Sequence, residues 1–323
     1  MAGSPAAGSG ARTWIGWAYE VTPGMPVASA NWLKLLPDQL TIDTDPKATV
    51  YELSNGTQFA DDALVPEDGT NGGDVQFQLC GGLGQGLIFA GALLDTKTGS
   101  GSPYTHTGAL SMAKPISIEV YRSGQSWQYT GMYATKIVIK SDGKKAAVVT
   151  ITFAGLGPPT LIAPTTPTWT PAADQPYAWR DFQTATLLGG GSGDKTIDAF
   201  ELDIDLPTSA FHGNNQSGFP SDQILENIKV SGTITKLFKT TAEWSAALAV
   251  ATAPSSLVFG WSKGASNSTT ITIPNAKYTM DKLKTPMKGP ITEDIPFVGL
   301  APDGANPLSY VVVNGVSSAY STS

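Results

Sequence analysis

Short stretches of alternating apolar and polar residues are the strongest pattern in this 323-residue chain. In Leu40–Asp45 the apolar side chains fall at every second position, and Phe200–Leu206 repeats this arrangement with acids between the apolar residues. Because successive side chains of a strand point to opposite faces, each stretch predicts a strand with one buried and one solvated side. Further strands are predicted at Ile116–Tyr121, Trp127–Lys140, Ala146–Ala154 and Asn227–Phe238.

Two segments carry apolar residues at helical spacing instead. They are Leu83–Leu94 and Thr241–Ala253, and a capping box formed by Thr240 and Glu243 marks the start of the second. The intervening polar stretches predict long loops, because they lack either period. The predicted loops are Pro46–Asp74, Asp95–Pro115 and Pro207–Glu226.

The order of these elements is similar in the two halves of the chain. Matching Leu40 to Leu202 gives an offset of 162 residues, and the two predicted helices lie about 160 residues apart. Near the end of each half, Ile151–Leu156 is similar to Ile295–Leu300, at an offset of 144. A constant order at a nearly constant offset predicts an internal duplication. Chance reuse of short β-strand sequences is the alternative.

A proline-rich segment separates the two halves. Gly157–Pro176 holds six prolines in twenty residues, which predicts an extended spacer because proline cannot continue a helix or a central strand. The predicted organisation is therefore an N-terminal arm at 1–11, a first domain at 12–157, a linker at 158–176 and a second domain at 177–323.

Composition favours an all-β protein. Only 15% of the residues are charged, whereas glycine (35) and proline (23) are abundant. The single cysteine, Cys80, permits no internal disulfide and fits a reducing compartment. We find neither a secretory signal nor an apolar run long enough to span a membrane, so we expect a soluble intracellular product.

Few residues suggest catalysis. His106 and His212 lie in polar stretches without a second type of metal ligand nearby, and the glycines of Cys80–Leu87 lack the spacing of a nucleotide loop. The acids of Phe200–Leu206 could form a glycosidase pair or bind calcium, but such a row is usually the wet face of a strand. We therefore expect no enzyme, no cofactor and no metal site.

Charge is distributed unevenly. Residues 1–75 hold ten acids and three bases, whereas residues 227–288 hold eight lysines and two acids, within a net charge of −7. Opposite poles suit head-to-tail contacts between copies, although ordinary solvated surface is the alternative. With three arginines in the chain, specific binding of nucleic acid is not expected.

The order of these parts resembles the tail tube proteins of long-tailed bacteriophages. The resemblance rests on Gly16–Gly24, the early alternating strand with its long loop and helix, Ser231–Thr235, and the Phe-Val-Gly-Leu sequence at Phe297–Leu300. It implies a duplicated tail-tube-type β-sandwich, each copy with one flanking α-helix, long loops and an extended terminal arm. In that family the subunits together form a continuous β-barrel around a channel, and rings stack into a tube.

The resemblance implies a structural protein of the virion tail, made in the host cytoplasm, whose hollow tube conducts DNA from capsid to host cell without binding it specifically. Its implied partners are further copies of itself, a tape measure protein and tail tip or terminator proteins. We expect trimeric, pseudo-hexameric rings, with hexameric rings as the alternative. The acids expected to face the lumen are Asp43, Asp45, Glu201, Asp203 and Asp205. The residues expected between rings are Lys277, Lys282, Lys284, Lys288, Asp61, Asp62, Glu67 and Asp68.

A different class of function remains open from the sequence. A monomeric β-sandwich of an adhesin or carbohydrate-binding type would bind sugars through exposed aromatic rings such as Trp169 or Trp261.

Overall fold

The computed structural model is mainly antiparallel β structure. It describes residues 13–27, 31–34, 40–45, 48–53, 61–66, 69–82, 84–111, 114–122, 124–143, 145–165, 176–186, 196–213, 219–238, 255–279 and 291–317. None of the helices within these ranges is long and apolar enough to cross a membrane.

The first half of the described chain contains one helix, α1 (Gly84–Ala92), together with twelve strands. These are β1 (Trp14–Tyr19), β2 (Asn31–Lys34), β3 (Asp43–Asp45), β4 (Ala48–Leu53), β5 (Asp61–Pro66), β6 (Thr70–Gln78), β7 (Leu93–Thr98), β8 (Tyr104–Leu110), β9 (Ile116–Arg122), β10 (Gln125–Asp142), β11 (Val148–Gly155) and β12 (Thr160–Ile162).

The second half of the described chain adds nine strands. These are β13 (Phe182–Thr186), β14 (Ile197–Asp205), β15 (Thr208–Phe211), β16 (Asp222–Leu225), β17 (Lys229–Leu237), β18 (Ser255–Ser262), β19 (Ser268–Tyr278), β20 (Thr292–Gly299) and β21 (Ser309–Asn314).

Eight strands from both halves form one continuous antiparallel sheet, which we call the central sheet. Its order is β3-β6-β11-β10-β14-β17-β20-β19. Strands β10 and β19 each extend beyond it into an outer sheet. The first outer sheet runs β2-β1-β9-β10-β12, and the second runs β13-β18-β19-β21-β8-β7.

The three sheets share one hydrophobic core, as expected for a β-sandwich. Aromatic rings connect the second outer sheet to the central sheet: Phe182 stacks on Phe200 with ring centroids 5.6 Å apart, and Phe259 lies 6.3 Å from Phe297. Ile15, Ile118 and other residues of the first outer sheet belong to the same buried cluster.

The helix α1 is shorter than its sequence pattern predicts, because Leu93 and Leu94 already belong to β7. Leu87, Ile88 and Phe89 are buried, and the Phe89 ring packs edge-on against Tyr310 at 5.6 Å. Apolar burial therefore holds a glycine-rich helix that has low intrinsic propensity. The second predicted helix, Thr241–Ala253, lies outside the described residues.

All three predicted loops contain strands, so those predictions are wrong in part. The first holds the β4–β5 hairpin and the start of β6, the second holds the β7–β8 hairpin, and the third holds the β15–β16 hairpin. In β8 the inward positions include His106 and Gly108 rather than large apolar residues. The alternation that indicates a strand is therefore hidden in the sequence.

The proline-rich segment is also attached to the fold. Thr160–Ile162 pairs with β10, Thr165 donates hydrogen bonds to the buried Glu119 carboxylate, and Pro176 forms a bridge with Cys80. The segment is thus fixed near both ends, rather than being a spacer along its whole length.

The order of strand pairing is the same in the two halves. In the first half it is β1-β9-β10-β11-β6-β3, with β12 also on β10; in the second half it is β13-β18-β19-β20-β17-β14, with β21 also on β19. The register agrees as well, since Val75 faces Ile151 and Ile234 faces Ile295.

One detail of this correspondence differs from the sequence comparison. Asp45 lies opposite the first residue of β6, and Asp205 lies opposite the first residue of β17. Leu40 bridges Val75, as Phe200 pairs with Ile234. The equivalent positions in β3 and β14 are therefore 160 residues apart, whereas the apolar residues alone had suggested 162.

Candidate functional site

The central sheet has one buried and one polar face. In β14 the side chains of Leu202 and Ile204 are buried, whereas those of Glu201, Asp203 and Asp205 are partly exposed on the opposite side. The same alternation runs through β11 and β17. This outcome follows from the period of two in the sequence, which turns most of the large apolar residues of these strands toward the core.

Lysines from β10 lie beside the acids of β14. The Lys140 ammonium is 2.9 Å from a Glu201 carboxylate oxygen, and Lys136 Nζ lies 3.3 Å from Asp203 Oδ1 and 3.7 Å from Asp205 Oδ1. These contacts follow from the strand register, which places Lys140 opposite Glu201 and Lys136 opposite Asp205. The polar face is therefore crossed by a ladder of ion pairs.

The ion pairs shift the pKa values of the two lysines. Partial burial lowers the pKa of Lys136, but the charges and hydrogen bonds of Asp203 and Asp205 together outweigh burial and raise it above its usual value. For Lys140, the hydrogen bond and the charge of Glu201 raise the pKa. Both lysines thus keep their positive charge at neutral pH.

Two further carboxylates on the polar face accept hydrogen bonds from threonines across neighbouring strands. Thr152 of β11 donates to Asp74 Oδ1 at 2.6 Å, and Thr235 of β17 donates to Asp294 Oδ1 at 2.7 Å. Each half of the sheet therefore contains one cross-strand threonine–aspartate pair. These bonds hold the two carboxylates in place across their strand pairs.

The acids of β3 lie at the edge of the central sheet. Asp43 and Asp45 are exposed, and Ile42 between β3 and the Leu40 bridge is fully buried. Arg122 lies near Asp43, with 3.9 Å between Nη1 and Oδ2, and it donates a 2.7 Å hydrogen bond to the Ile42 carbonyl. All five acids predicted to share a function thus lie on the same face of one sheet.

The polar face carries more acid than base. Among the described residues, alternation and pairing place eight carboxylates and four lysines on it. The acids are Asp43, Asp45, Asp74, Asp142, Glu201, Asp203, Asp205 and Asp294, and the bases are Lys136, Lys140, Lys229 and Lys277. Serine and threonine occupy much of the remaining surface, so the face is hydrophilic and net negative.

The residues predicted to lie between rings are only partly described. Asp61 and Asp62 belong to β5 of the β4–β5 hairpin, and Lys277 belongs to β19 on the polar face of the central sheet. The remaining predicted residues, Glu67, Asp68, Lys282, Lys284 and Lys288, lie outside the described part of the chain.

The other candidate residues are dispersed. His106 is buried, with Nε2 3.0 Å from the Val316 carbonyl oxygen, whereas His212 is exposed after β15. Cys80 is buried and forms no disulfide. Within the described ranges, no three histidine, cysteine or acidic side chains are grouped so that they could hold a metal ion.

Comparison with known families gives the decisive observation. The phage tail tube protein family matches the chain over residues 10–299. The chain belongs to this family. A search of curated proteins finds no match. Membership of this family gives the chain a structural role in the tail tube of a phage. The matched region includes both halves of the fold.

Sequence reasoning missed the lysines that accompany the lumen candidates. Lys136 and Lys140 lie about 60 residues before Glu201–Asp205, and only the β10–β14 register brings them together. The sequence does contain one signal for these lysines. Lys136, Val138 and Lys140 alternate along a predicted strand, so both lysine side chains lie on the same face of that strand.

Proposed function

We propose that this tail tube protein polymerises into stacked rings and that the polar face of its central sheet lines the channel through which DNA passes. The observation that carries the proposal is a continuous sheet with a buried face and a net acidic face. DNA carries one negative charge per ~1.7 Å of its axis, so a basic wall would retain it and an acidic wall lets it slide.

The ion pairs between β10 and β14 lower the charge density of the proposed channel wall. Lysines beside Glu201, Asp203 and Asp205 reduce the repulsion among three neighbouring carboxylates, while the excess acid keeps phosphate from binding. DNA therefore meets paired charges and hydroxyl groups, rather than a row of unpaired lysines.

Amide substitutions on β14 test the lumen assignment. Glu201→Gln, Asp203→Asn and Asp205→Asn together keep the side-chain shapes but leave Lys136 and Lys140 without their carboxylates. We expect tubes to assemble and DNA release from purified virions to slow by severalfold, because the exposed lysines then attract phosphate.

A control with the same change in charge combines Glu226→Gln, Asp222→Asn and Asp303→Asn, because these three exposed residues lie outside the central sheet. The control should release DNA at the wild-type rate. Equal rates for the β14 variant and the wild type would refute the lumen assignment.

We further propose that residues 12–157 and 177–316 are two copies of one tube fold, and that three chains form a pseudo-hexameric ring. The shared order and register of strand pairing support this proposal, as does the central sheet, which continues from one half into the other through β10 and β14. Six chains with one position each are the alternative. Rotational averaging of end-on images distinguishes them: alternating densities indicate three chains, and six identical subunits would refute the duplication.

For contacts between rings, we propose that the hairpin carrying Asp61 and Asp62, with Glu67 and Asp68 nearby in sequence, is attracted to the lysine-rich segment 277–288 of a neighbouring ring. The lysines of that segment are Lys277, Lys282, Lys284 and Lys288. Exposed ion pairs contribute ~0–1 kcal/mol each and are screened within ~3 Å in 1 M salt. Tube elongation should therefore weaken in high salt while rings persist, and elongation independent of salt would contradict the proposal.

Partners such as a tape measure protein and a terminator complete the proposed assembly.

The carbohydrate-binding alternative has lost its main structural support. Trp261 is only 1% exposed and packs within the aromatic core, while Trp169 lies outside the described residues. Solution scattering separates the two functions, since rings or tubes support the tail tube and a compact monomer of ~34 kDa that binds glycans supports the alternative.

A further inference from the structure

A hairpin of the second half contacts the first half of the chain. Strand β14 ends at Asp205, and the amide of the next residue, Leu206, donates to the Thr135 carbonyl of β10 at 2.8 Å. The chain therefore leaves the central sheet beside the first half. The β15–β16 hairpin follows directly, and a 2.9 Å hydrogen bond from the Glu226 amide to the Pro207 carbonyl closes its base.

The contact is made by the ring of Phe219, which lies in the segment just before β16. Gly69 is buried just before β6, and a Cβ there would lie 2.9 Å from Phe219 Cζ and 3.5 Å from the Asp45 carbonyl oxygen. The ring therefore packs directly on the Gly69 backbone, at the end of the β3–β6 strand pair. A side chain at this position would displace the ring, so the close approach depends on glycine.

Two further observations describe how the hairpin is held there. The Ser221 amide and hydroxyl both donate to the Phe211 carbonyl, at 2.8 and 2.9 Å, and these bonds order the chain next to Phe219. Burial raises the pKa of Tyr133 in β10, and the charge of Asp222 in β16 adds to this effect. The hairpin therefore lies close to the first half at a second point.

Duplication of the fold does not by itself explain this contact. Thr70 and Lys229 begin the equivalent strands β6 and β17, so Gly69 and Ile228, which precede them, occupy equivalent positions. Ile228 is partly buried and packs against the core. A branched side chain thus stands in the second half where the first half leaves room for a ring.

The strand pair that joins the halves leaves its own twist open to adjustment. Neighbouring strands of a sheet are rotated by about 10–35° relative to each other, and β10 and β14 join the halves over seven register pairs. A side-chain contact beyond the end of this pair restricts the rotation. In a head-to-tail assembly the same rotation decides whether repeated copies close a ring or wind into an open helix.

We propose that Phe219 and Gly69 form a latch that fixes the angle between the two halves and thereby the curvature of the ring. This inference rests on the proposed assembly of the protein into rings. The latch sets the angle within each chain before assembly, so that all copies enter the ring in one shape. Without the latch, chains with different angles are incorporated, and rings of unequal size or open spirals result.

Phe219→Ala in the full-length chain tests the latch, and Phe211→Ala is its matched control. Both changes remove a phenyl ring from the same region of the hairpin, but Phe211 is 53% exposed. In unassembled subunits we expect the amides of residues 221–225 to exchange about tenfold faster in Phe219→Ala than in the control. If Phe219→Ala does not fold, Phe219→Leu takes its place in the same comparison. Equal exchange rates for the latch variant and the control would overturn the latch.

Gly69→Ala tests the other side of the contact. The added methyl group meets the ring and displaces it, so exchange in residues 221–225 should accelerate here as well. Combined with Phe219→Ala it should have no further effect, because the methyl group then enters the space that the ring has left. Additive effects of the two changes would show that they act independently, and the contact would lose its assigned role.

Negative-stain images of the assembled variants test the effect on the ring. The wild type and Phe211→Ala should form closed rings of uniform size, whereas Phe219→Ala should give rings of mixed size or open spirals. Faster exchange combined with uniform rings would overturn the control of curvature. If the wild type forms neither rings nor tubes, the proposed function fails together with the role in curvature, while the exchange rates still decide whether the latch exists.

Discussion

The buried carboxylate of Glu20 joins β9, β10 and the turn that follows β1, and its substitution tests how the fold is held together. Its Oε1 atom accepts hydrogen bonds of 2.8 Å from the Ser117 hydroxyl and from the Gly131 amide, and its Oε2 atom accepts a 2.6 Å bond from the Gly24 amide. Glu20 is only 6% exposed. Gly131 lies where β10 leaves the outer sheet for the central sheet, so this carboxylate stabilises the bend between them.

The change Glu20→Gln keeps the size of the side chain and removes the charge. The amide oxygen can still accept two bonds, but each falls from a charge-assisted to a neutral bond, a loss of roughly 1 kcal/mol apiece. The amide nitrogen then faces the Gly24 donor, and an unsatisfied buried donor costs about 1–3 kcal/mol. The substitution also removes the cost of burying a charged carboxylate, which offsets part of this loss. We therefore expect a net destabilisation of about 2–4 kcal/mol.

Urea unfolding of unassembled subunits measures this effect, with a lower midpoint and an unchanged slope as the expected result. Glu226→Gln is the matched control, because Glu226 is exposed and accepts a hydrogen bond from Ser209 on a surface hairpin. Its effect should stay within about 0.5 kcal/mol. If Glu20→Gln also changed the free energy of unfolding by no more than about 0.5 kcal/mol, the role assigned to the carboxylate would be refuted.

Three other substitutions test further features of the fold. Gly131 has φ = 60°, and a Cβ there would lie 2.7 Å from the Leu156 side chain; Gly131→Ala should therefore destabilise by about 1–3 kcal/mol in the same urea assay, and a neutral effect would contradict the bend. Burial raises the pKa of Tyr177 to about 12. The stability that comes from burying the neutral phenol is therefore complete below pH 10 and is lost as the pH rises toward 12. Between these pH values the free energy of unfolding of the wild type should fall by about 2–3 kcal/mol more than that of Tyr177→Phe, and parallel curves of stability against pH would refute this. Lys140→Met removes a half-exposed ion pair and should change subunit stability by less than about 1 kcal/mol, so a larger loss would show that the ladder is a stability element.

The sequence was sufficient to predict the elements whose apolar residues alternate without interruption. Strands β11 and β14 were recognised because Ile151, Phe153, Leu202 and Ile204 all enter the core. The side of β14 on which its acids lie followed from the same period. Local pattern therefore predicted the polar face of these strands before any tertiary information was available.

The strands that were missed have inward positions with unusual residues. In β8 one inward residue is His106, and another is Gly108, where a Cβ would come within 2.7 Å of the Phe89 ring. In the first half of β6, which falls within the predicted loop Pro46–Asp74, the buried Asn71 stands where an apolar residue would have revealed the pattern. These residues satisfy contacts with elements far away in the chain, and such requirements are not visible in a local period.

The partners of the candidate site could not be predicted because strand register is a property of the whole sheet. A shift of one residue between β10 and β14 would turn Lys136 and Lys140 toward the core and separate them from Glu201 and Asp205. The register is fixed by burial of Ile137 and Ile139 against the rest of the core. Core packing therefore determines which charges meet on the opposite face.

This coupling explains why the proposed channel wall contains lysines at all. Carboxylates at every second position of a strand are about 7 Å apart, and assembly into a ring would bring several such rows onto one curved surface. Repulsion between like charges grows with the square of the net charge, so a wall of acids alone would oppose ring closure as well as DNA binding. Lys136 and Lys140 reduce the repulsion that would oppose ring closure, because they neutralise acids within ion-pair distance. The acids that remain in excess of the lysines preserve the repulsion of DNA. The balance of eight carboxylates to four lysines on the described polar face thus suits a surface that must assemble with its own copies and still repel the polyanion passing along it.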